Sequence, residues 1–265
     1  MSELKLLWSQ DFDGLAGQAP DPQFWTHDIG DGTQAGIPGW GNQEREWYLD
    51  SHVGTDGNGN LVITAERLPE ENDLIAYYGA PAEWASAKIH TAGKVEVLYG
   101  RIEARARVPR GAGTWPAFWM LGNDIATVPW PQCGEIDIIE VRGRDPHTLV
   151  GTIHGPGYFG DNGSGTEIKT EPNMAEGFHT FAVEWLPGSI TWYFDDHAFQ
   201  TKTPDSVAPN EWVFDHPFYI IANLAMGGGF TGDIDPALKQ AEFALDHIRV
   251  YSIDGVGQVT LSKQA

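Results

Sequence analysis

Thiols are almost missing: the 265 residues contain one cysteine, Cys133, which excludes an internal disulfide framework and any metal site built from several thiolates. Beside acidic neighbours and without cationic activation, that thiol reads as packing. Long apolar runs are missing too, and nothing approaches the roughly 18 residues of a membrane-spanning helix. Basic residues are scarce, 16 Lys and Arg against 37 Asp and Glu, for a formal charge of −21. A surface this acidic repels phosphate backbones and anionic lipid. Nucleic acid and membranes are therefore not expected as partners, and neutral ligands, cations or saline surroundings are favoured. Residues 1–10 (MSELKLLWSQ) lack the basic start and apolar stretch of a secretory leader. The chain is read as cytoplasmic as written, or as secreted with its leader absent. Sustained helical periodicity is lacking as well; only residues 236–244 could hold a turn or two.

What is abundant is turn formers and aromatics: 32 Gly, 17 Pro, 11 Trp, 12 Phe and 8 Tyr. That mixture suits many short strands joined by tight turns. Residues 61–65 (LVITA) form a β-rich run behind the turn-forming DGNGN of residues 56–60. Residues 101–108 alternate strictly, with Ile102, Ala104, Ala106 and Val108 on one face and Arg101, Glu103, Arg105 and Arg107 on the other. Residues 181–185 and 190–194 flank Leu186-Pro187-Gly188-Ser189, a tight reversal. Residues 218–225 and 243–251 add two late strands. No composition break or internal repeat divides the chain. Residues 1–265 are expected to form one all-β domain, an antiparallel β-sandwich, acting as a monomer.

The informative segment is Trp130-Pro131-Gln132-Cys133-Gly134-Glu135-Ile136-Asp137-Ile138-Ile139-Glu140-Val141. Three acids sit inside six residues of a strongly β-forming run, and charged groups are rarely buried unless paired. An edge strand with its acids in water would explain them if side alternated with parity. It does not: Glu135 and Asp137 share one face, while Glu140 shares the other with Ile136 and Ile138. A β-bulge across Ile138 and Ile139 removes the conflict by inserting one extra residue, which returns Glu140 to the face of its companions. Glu135 and Glu140 would then stand about four strand steps apart, roughly 13 Å between Cα atoms. Leaning together, their carboxyls could come within about 5–6 Å, the spacing of a retaining glycosidase. Asp137 between them couples to both, and helps one acid stay ionised for attack while the other keeps its proton.

At this point the chain resembles glycoside hydrolase family 16, in particular its laminarinase-like bacterial members. The resemblance rests on Gly134-Glu135-Ile136-Asp137-Ile138-Ile139-Glu140, the ExDxxE form with the extra residue; lichenase-like members carry the shorter ExDxE. It extends to YGRIEAR at 99–105, WPAFWML at 115–121, Phe178-His179-Thr180 with Glu184-Trp185, FYIIANLAMGG at 218–228 and DHIRVY at 246–251. What it implies is a jelly-roll sandwich of two curved antiparallel sheets with a glycan cleft along the concave face. By the same resemblance Glu135 is the nucleophile, Glu140 the general acid/base and Asp137 the assistant. The implied reaction is endo-acting, retaining hydrolysis of an internal β-glycosidic bond, usually β-1,3 in glucan. No cofactor is implied for catalysis. A structural calcium is, on the convex face, held by the backbone of Asp11 and Gly59 together with Asp246; oxygen ligands suit that ion. Rival readings are hydrolysis or transglycosylation of another β-linked polymer, such as mixed-linkage glucan or galactan, and a non-catalytic glucan-binding sandwich. Relatives of the last kind typically lose the paired glutamates, which this chain retains.

Sugar rings present apolar C–H faces, so glycan clefts combine aromatic platforms with hydrogen-bonding groups. Trp115 and Trp119, four apart on one strand face, are the candidate platforms, and Phe118, of opposite parity, belongs in the core. Gly39-Trp40-Gly41-Asn42-Gln43-Glu44 resembles the family's GWGNxE segment, which implies Trp40 and Asn42 at the glycone side with Glu44 as support. A turn role for Asn42 is the rival. Lys88 stands where the family often has arginine, so the charge is kept and the planar fork is lost. His154, in GTIHGP, resembles a residue bordering the catalytic strand and could hydrogen-bond a carboxylate or the substrate; Asn223 is a further candidate contact. The other histidines show no ligand spacing. Gly227-Gly228-Gly229 lacks a phosphate-loop frame and reads as a mobile loop at the cleft rim. DGNGN fails as an EF-hand, because Arg67 stands where the bidentate glutamate belongs.

Overall fold

The alternation at residues 101–108 becomes the strand Gly100–Arg107, with Ile102, Ala104 and Ala106 buried, in a computed structural model that describes residues 2–262. Its outer face is not wet throughout. Arg101 is buried there, and Glu103, Glu184 and Asp196 surround its guanidinium, because a charge taken out of water needs paired acceptors. The expected reversal joins His179–Leu186 to Ser189–Phe194, and the Leu186↔Ser189 pairing leaves Pro187 and Gly188 as a two-residue loop. Gly188 takes φ 74°, the left-handed backbone that glycine adopts most cheaply.

Two expectations are corrected. Residues 236–244 hold no helix: the strand Gln240–Ile253 begins there, with Ala241 and Phe243 buried and Gln240 and Glu242 exposed, and it pairs with Leu61–Arg67. Period 2 prevails because a neighbouring strand supplies the backbone partners. The glycine segment at 227–229 is not simply a loop. It opens Gly228–Thr231, a single turn and the one α-helix among the described residues.

The strands form two sheets, one of ten and one of nine strands among the described residues. The first runs His197–Lys202, Ser189–Phe194, His179–Leu186, Gly100–Arg107, Gln240–Ile253, Leu61–Arg67, Trp84–Ser86, Glu46–Tyr48. The second runs Ser164–Lys169, Thr148–His154, Glu135–Val141, Thr114–Gly122, Phe218–Met226, Lys88–His90, Thr26–Asp28. Pairing is antiparallel except between Glu46–Tyr48 and Trp84–Ser86. Fully buried Trp84, Trp185, Trp192, Phe118, Phe181, Phe218 and Phe243 fill the space between the sheets, which makes a jelly-roll β-sandwich. The acid strand lies inside the second sheet, flanked by long neighbours on both sides. One face of that sheet therefore packs the core through Phe118 and Met120, and the other presents half-buried Trp115 and Trp119 to the concave side. No helix among the described residues is long and apolar enough to cross a membrane. Cys133 is buried, and burial, aided by the charges of Asp124 and Glu135, pushes its thiol up to about 12.

Candidate active site

Register fixes the acid strand on both sides. Against Thr148–His154 it runs Asp137↔Thr152 and then Glu140↔Val150; against Thr114–Gly122 it runs Trp119↔Asp137 and then Phe118↔Ile139. Each neighbour counts one residue fewer than the acid strand, which is a β-bulge at the expected place. Ile138 and Ile139 both enter the core, along with Ile136 and Val141. A regular strand could not turn two consecutive side chains the same way. Glu135 and Glu140 remain half-buried at the cleft, and Asp137 is 3% exposed. From the opposite sheet, Trp192 donates its indole N–H to the Asp137 carbonyl oxygen at 2.7 Å and ties the bulge to the core.

Glu135 Oε2 accepts the Trp130 indole N–H at 2.7 Å. His154, directly opposite Glu135 in register, brings Nε2 to 3.7 Å from Glu135 Oε1 and 3.1 Å from Asp137 Oδ2. The shorter contact lies off the line of a hydrogen bond, so Asp137 Oδ2 is buried without an aligned partner among the described residues, and the other ring nitrogen of His154, Nδ1, is also buried without one. Glu140 Oε1 accepts the Trp115 indole N–H at 3.2 Å. Burial raises all three carboxyls, since it penalises the charged form. Glu135 is pushed up to about 8 by burial and then by Asp137, with His154 and Trp130 pulling the other way. Asp137 is pushed up to about 8 by burial, opposed by its hydrogen bond with Glu135. Glu140 is held well above the usual carboxylate range by burial and then by the Asp137 charge. The cluster can therefore both hold and release protons near neutral pH. Ligand atoms of Glu135, Asp137 and His154 lie within 4.8 Å of one another, the one group of this kind among the described residues close enough to grip a metal ion.

Two transverse rows of the sheet carry the surroundings. One runs Asp28, Lys88, Asn223, Ala117, Glu140; the next includes Ile221, Trp119 and Asp137. Lys88 Nζ sits 4.2 Å from the Trp40 ring centroid and 5.3 Å from that of Trp119, with Asp28 Oδ2 at 3.4 Å. Trp119 donates its N–H to Asn223 Oδ1 at 2.8 Å, and Asn223 Nδ2 reaches the Tyr48 hydroxyl at 3.2 Å. Both ends of the Asn223 amide are thus engaged inside the protein. Exposed Asn42 donates to Glu44 Oε1 at 3.0 Å. Trp40, Asn42, Lys88, Trp119 and Asn223 thus connect into one group, while Trp115 stands beside Glu140. The Trp115 ring lies 4.7 Å from that of Phe230, over which Arg142 packs.

The sequence reading did not single out Trp130, Phe159 or Phe230 as site residues. Trp130 and Phe159 are exposed, meet edge to face at 5.4 Å, and flank His154 and Glu135. For Trp130 the signal was its place five residues before Glu135; Phe159 lies in an irregular segment and Phe230 in the single turn Gly228–Thr231, both too short for a periodicity to reveal them. In the first sheet, the pairings Gln10↔Ile248 and Leu61↔Leu245 bring the segments of Asp11, Gly59 and Asp246 to one corner. There Arg249 donates to Asp11 Oδ1 at 2.8 Å and Arg105 pairs with Asp246.

Carboxyls kept protonatable beside tryptophan rings, in a trough along a sheet, are equipment for splitting bonds between sugars, and they put the chain in the class of glycoside hydrolases. Residues 40–249 match the family model for glycosyl hydrolases family 16. The β-glucanase of Rhodothermus marinus is 37% identical over 262 residues, covering 93% of this chain and 85% of that protein. The catalytic domain of an endo-1,3-β-glucanase (laminarinase) from Thermotoga petrophila RKU-1 matches with a TM-score of 0.89 and 42% identity, covering 96% of this chain and all of that one. The endo-β-1,3-glucanase of Pyrococcus furiosus matches with a TM-score of 0.88 and 40% identity over 95% of each chain. The chain belongs to glycoside hydrolase family 16.

Proposed function

We propose that this chain is an endo-acting, retaining β-glucanase that cleaves internal β-1,3-glucosidic bonds of laminarin-like polysaccharide, as a monomeric single catalytic unit. The observation that carries the reading is the bulge, which gathers Glu135, Asp137 and Glu140 at one trough although their spacing in a regular strand forbids it. Relatives named as β-1,3-glucanases set the linkage.

Glu135 is the nucleophile. The Trp130 N–H stabilises its anion, and the His154 ring lies beside both carboxyls, 3.7 Å from Glu135 Oε1 and 3.1 Å from Asp137 Oδ2. Attack requires the anion on Glu135, so at that step the proton that the pair shares sits on Asp137. Glu135 attacks the anomeric carbon while Glu140 gives its proton to the departing glycosidic oxygen, leaving a glycosyl ester on Glu135. Glu140, now a base, takes a proton from water as that water attacks the anomeric carbon and frees Glu135. Burial keeps Glu140 protonated until the first step. No cofactor enters.

A structural calcium is the second part of the proposal. The corner of Asp11, Gly59 and Asp246 offers carboxylate and carbonyl oxygens, the donor type the ion prefers. Asp246 already answers to a cation, Arg105, which must swing away to admit the metal. No catalytic step involves it.

Release of reducing ends from laminarin, compared with lichenan, agarose and carrageenan, tests the substrate. Laminarin is expected to be cut fastest, and faster cutting of agarose or lichenan would reassign it. E135A is expected to lose turnover while keeping its fold and its binding of laminari-oligosaccharides. E140A should be crippled on laminarin but partly spared on substrates with good leaving groups, which need little proton donation. Near wild-type turnover in E135A would remove the nucleophile from that residue.

A further inference from the structure

On the glycone side of the cleft lies a second carboxyl pair that the hydrolysis just described leaves unused. Backbone alternation puts Glu44, Glu46 and Tyr48 on one side of the chain and Arg45 on the other, where it pairs with Glu83. Glu44 is 5% and Glu46 2% exposed. The groups acting on Glu46 are Glu44 and backbone N–H donors, with no cation among them. Two ionised carboxylates side by side in such a setting would cost more than a fold of ordinary stability can hold, so one of them is neutral.

Hydrogen bonds identify which. Glu44 meets donors on both oxygens, Asn42 Nδ2 at 3.0 Å on Oε1 and the Tyr48 hydroxyl at 3.2 Å on Oε2. Glu46 Oε2 accepts the Met226 backbone N–H at 2.7 Å, while its Oε1 is buried with no donor among the described residues. A proton on Glu46 makes that orphaned oxygen a donor, with Glu44 as its acceptor. Burial and the Glu44 charge, which hold Glu46 well above the usual carboxylate range, favour the same arrangement.

We propose that Glu46 is a buried hydrogen-bond donor to Glu44, so that one shared proton makes Glu44 the acceptor on which the series Asn42, Glu44, Tyr48, Asn223 and Trp119 is anchored. With Glu44 as the anion, Tyr48 donates to it, and the Tyr48 oxygen is left to accept from Asn223 Nδ2 at 3.2 Å. The Trp119 N–H can only donate, so it takes Asn223 Oδ1 at 2.8 Å and holds the amide in the same sense. Each bond then has a single direction, and the series is stiffer than its members alone. At the open end, Asn42 has its amide N–H on Glu44 and presents Oδ1 as an acceptor. Trp119, its N–H engaged, presents its ring face. The glucose unit that fits donates a hydroxyl to Asn42 and lays its C–H face on an aromatic plane. Glu46 touches no substrate; it is a positioning residue. The inference deepens the β-glucanase reading and rests on it for placing Asn42 and Trp119 against glucan.

Wild type, E46Q and E46L are compared by laminarin kinetics, thermal melting and infrared difference spectroscopy at neutral pH. Glutamine keeps an N–H for Glu44 and an oxygen for Met226, so E46Q should hold KM within about twofold of wild type. E46L removes donor and acceptor together and should raise KM about tenfold or more, with kcat changed less. The wild-type-minus-E46Q spectrum should contain a carboxylic-acid carbonyl stretch that shifts in deuterium oxide. E46Q as impaired in KM as E46L, or a carboxylate band in place of the acid band, overturns the proposal. The infrared comparison needs neither substrate nor a folded E46L, so it decides the proton's place on its own. A wild type inert on laminarin overturns the β-glucanase reading instead.

Discussion

Trp130 touches Glu135, the proposed nucleophile, with its N–H and leaves its ring exposed to solvent, so one side chain is placed to serve both charge and substrate. Its hydrogen bond is among the few influences that pull Glu135 down against burial and Asp137. W130F keeps an aromatic face and deletes the donor. Glu135 should then rise further above about 8, and because attack needs the ionised form, the acid limb of kcat/KM should move to higher pH. At neutral pH the loss should be about tenfold, the worth of a hydrogen bond to a charged group. A pH profile of kcat/KM checks this; a limb that stays in place would limit Trp130 to holding sugar. At this scale the sequence exposed what violated a rule and hid what obeyed none. Three acids among isoleucines conflict with burial, so they could be read directly. The engagement of Asn223 could not, because its partners stand far from it in the chain, Trp119 meeting it from the neighbouring strand and Tyr48 from the other sheet.

For the strands, parity was the usable signal. Counting sides along residues 135–140 demanded an extra residue, and both neighbouring registers supply it. The helical turn expected at residues 236–244 failed because local composition says nothing of the distant partner, Leu61–Arg67, that makes the segment a strand. The bulge can be tested by subtraction. Deleting Ile138 leaves Glu135-Ile136-Asp137-Ile139-Glu140, a regular alternation that keeps Glu140 opposite Ala117 and Val150. All three acids should still face the cleft. The fold loses one buried isoleucine, worth about 1.5–3 kcal/mol, against a stability of about 5–15 kcal/mol, so it should survive with a melting temperature lower by about 5–10 °C. Turnover should fall about 100-fold, since closing the bulge shifts Glu140 by a fraction of a residue step. Deleting Ile136 instead drives Glu135 toward the core, where an unpaired charge is far costlier, and should abolish both stable folding and activity. Laminarin kinetics and circular-dichroism melts on the two deletions separate these outcomes. Equal damage from both would mean that parity does not govern the site.

For the whole molecule, the acid excess outlasts every ion pair. Arg45, Arg101, Arg105, Arg110, Arg142 and Arg249 each already face carboxylates, and still 37 acids stand against 16 bases. The surplus repels itself over the surface, and salt screens that repulsion within about 10 Å at moderate ionic strength. Melting temperature should therefore climb from low to molar sodium chloride, and a flat response would mean that solvation already relieves the repulsion. Calcium should act differently. An ion that binds only the folded state stabilises by mass action at low concentration, beyond what ionic strength explains. Millimolar calcium should add a few degrees at matched ionic strength, and a chelator should take them away. D246N should lose most of that increment while keeping the sodium chloride slope, because a neutral amide oxygen is a far weaker calcium ligand than the carboxylate it replaces and only one charge leaves the surplus. If D246N responds to calcium as the wild type does, the ion binds elsewhere, and Arg105 alone holds the corner that Asp11, Gly59 and Asp246 share.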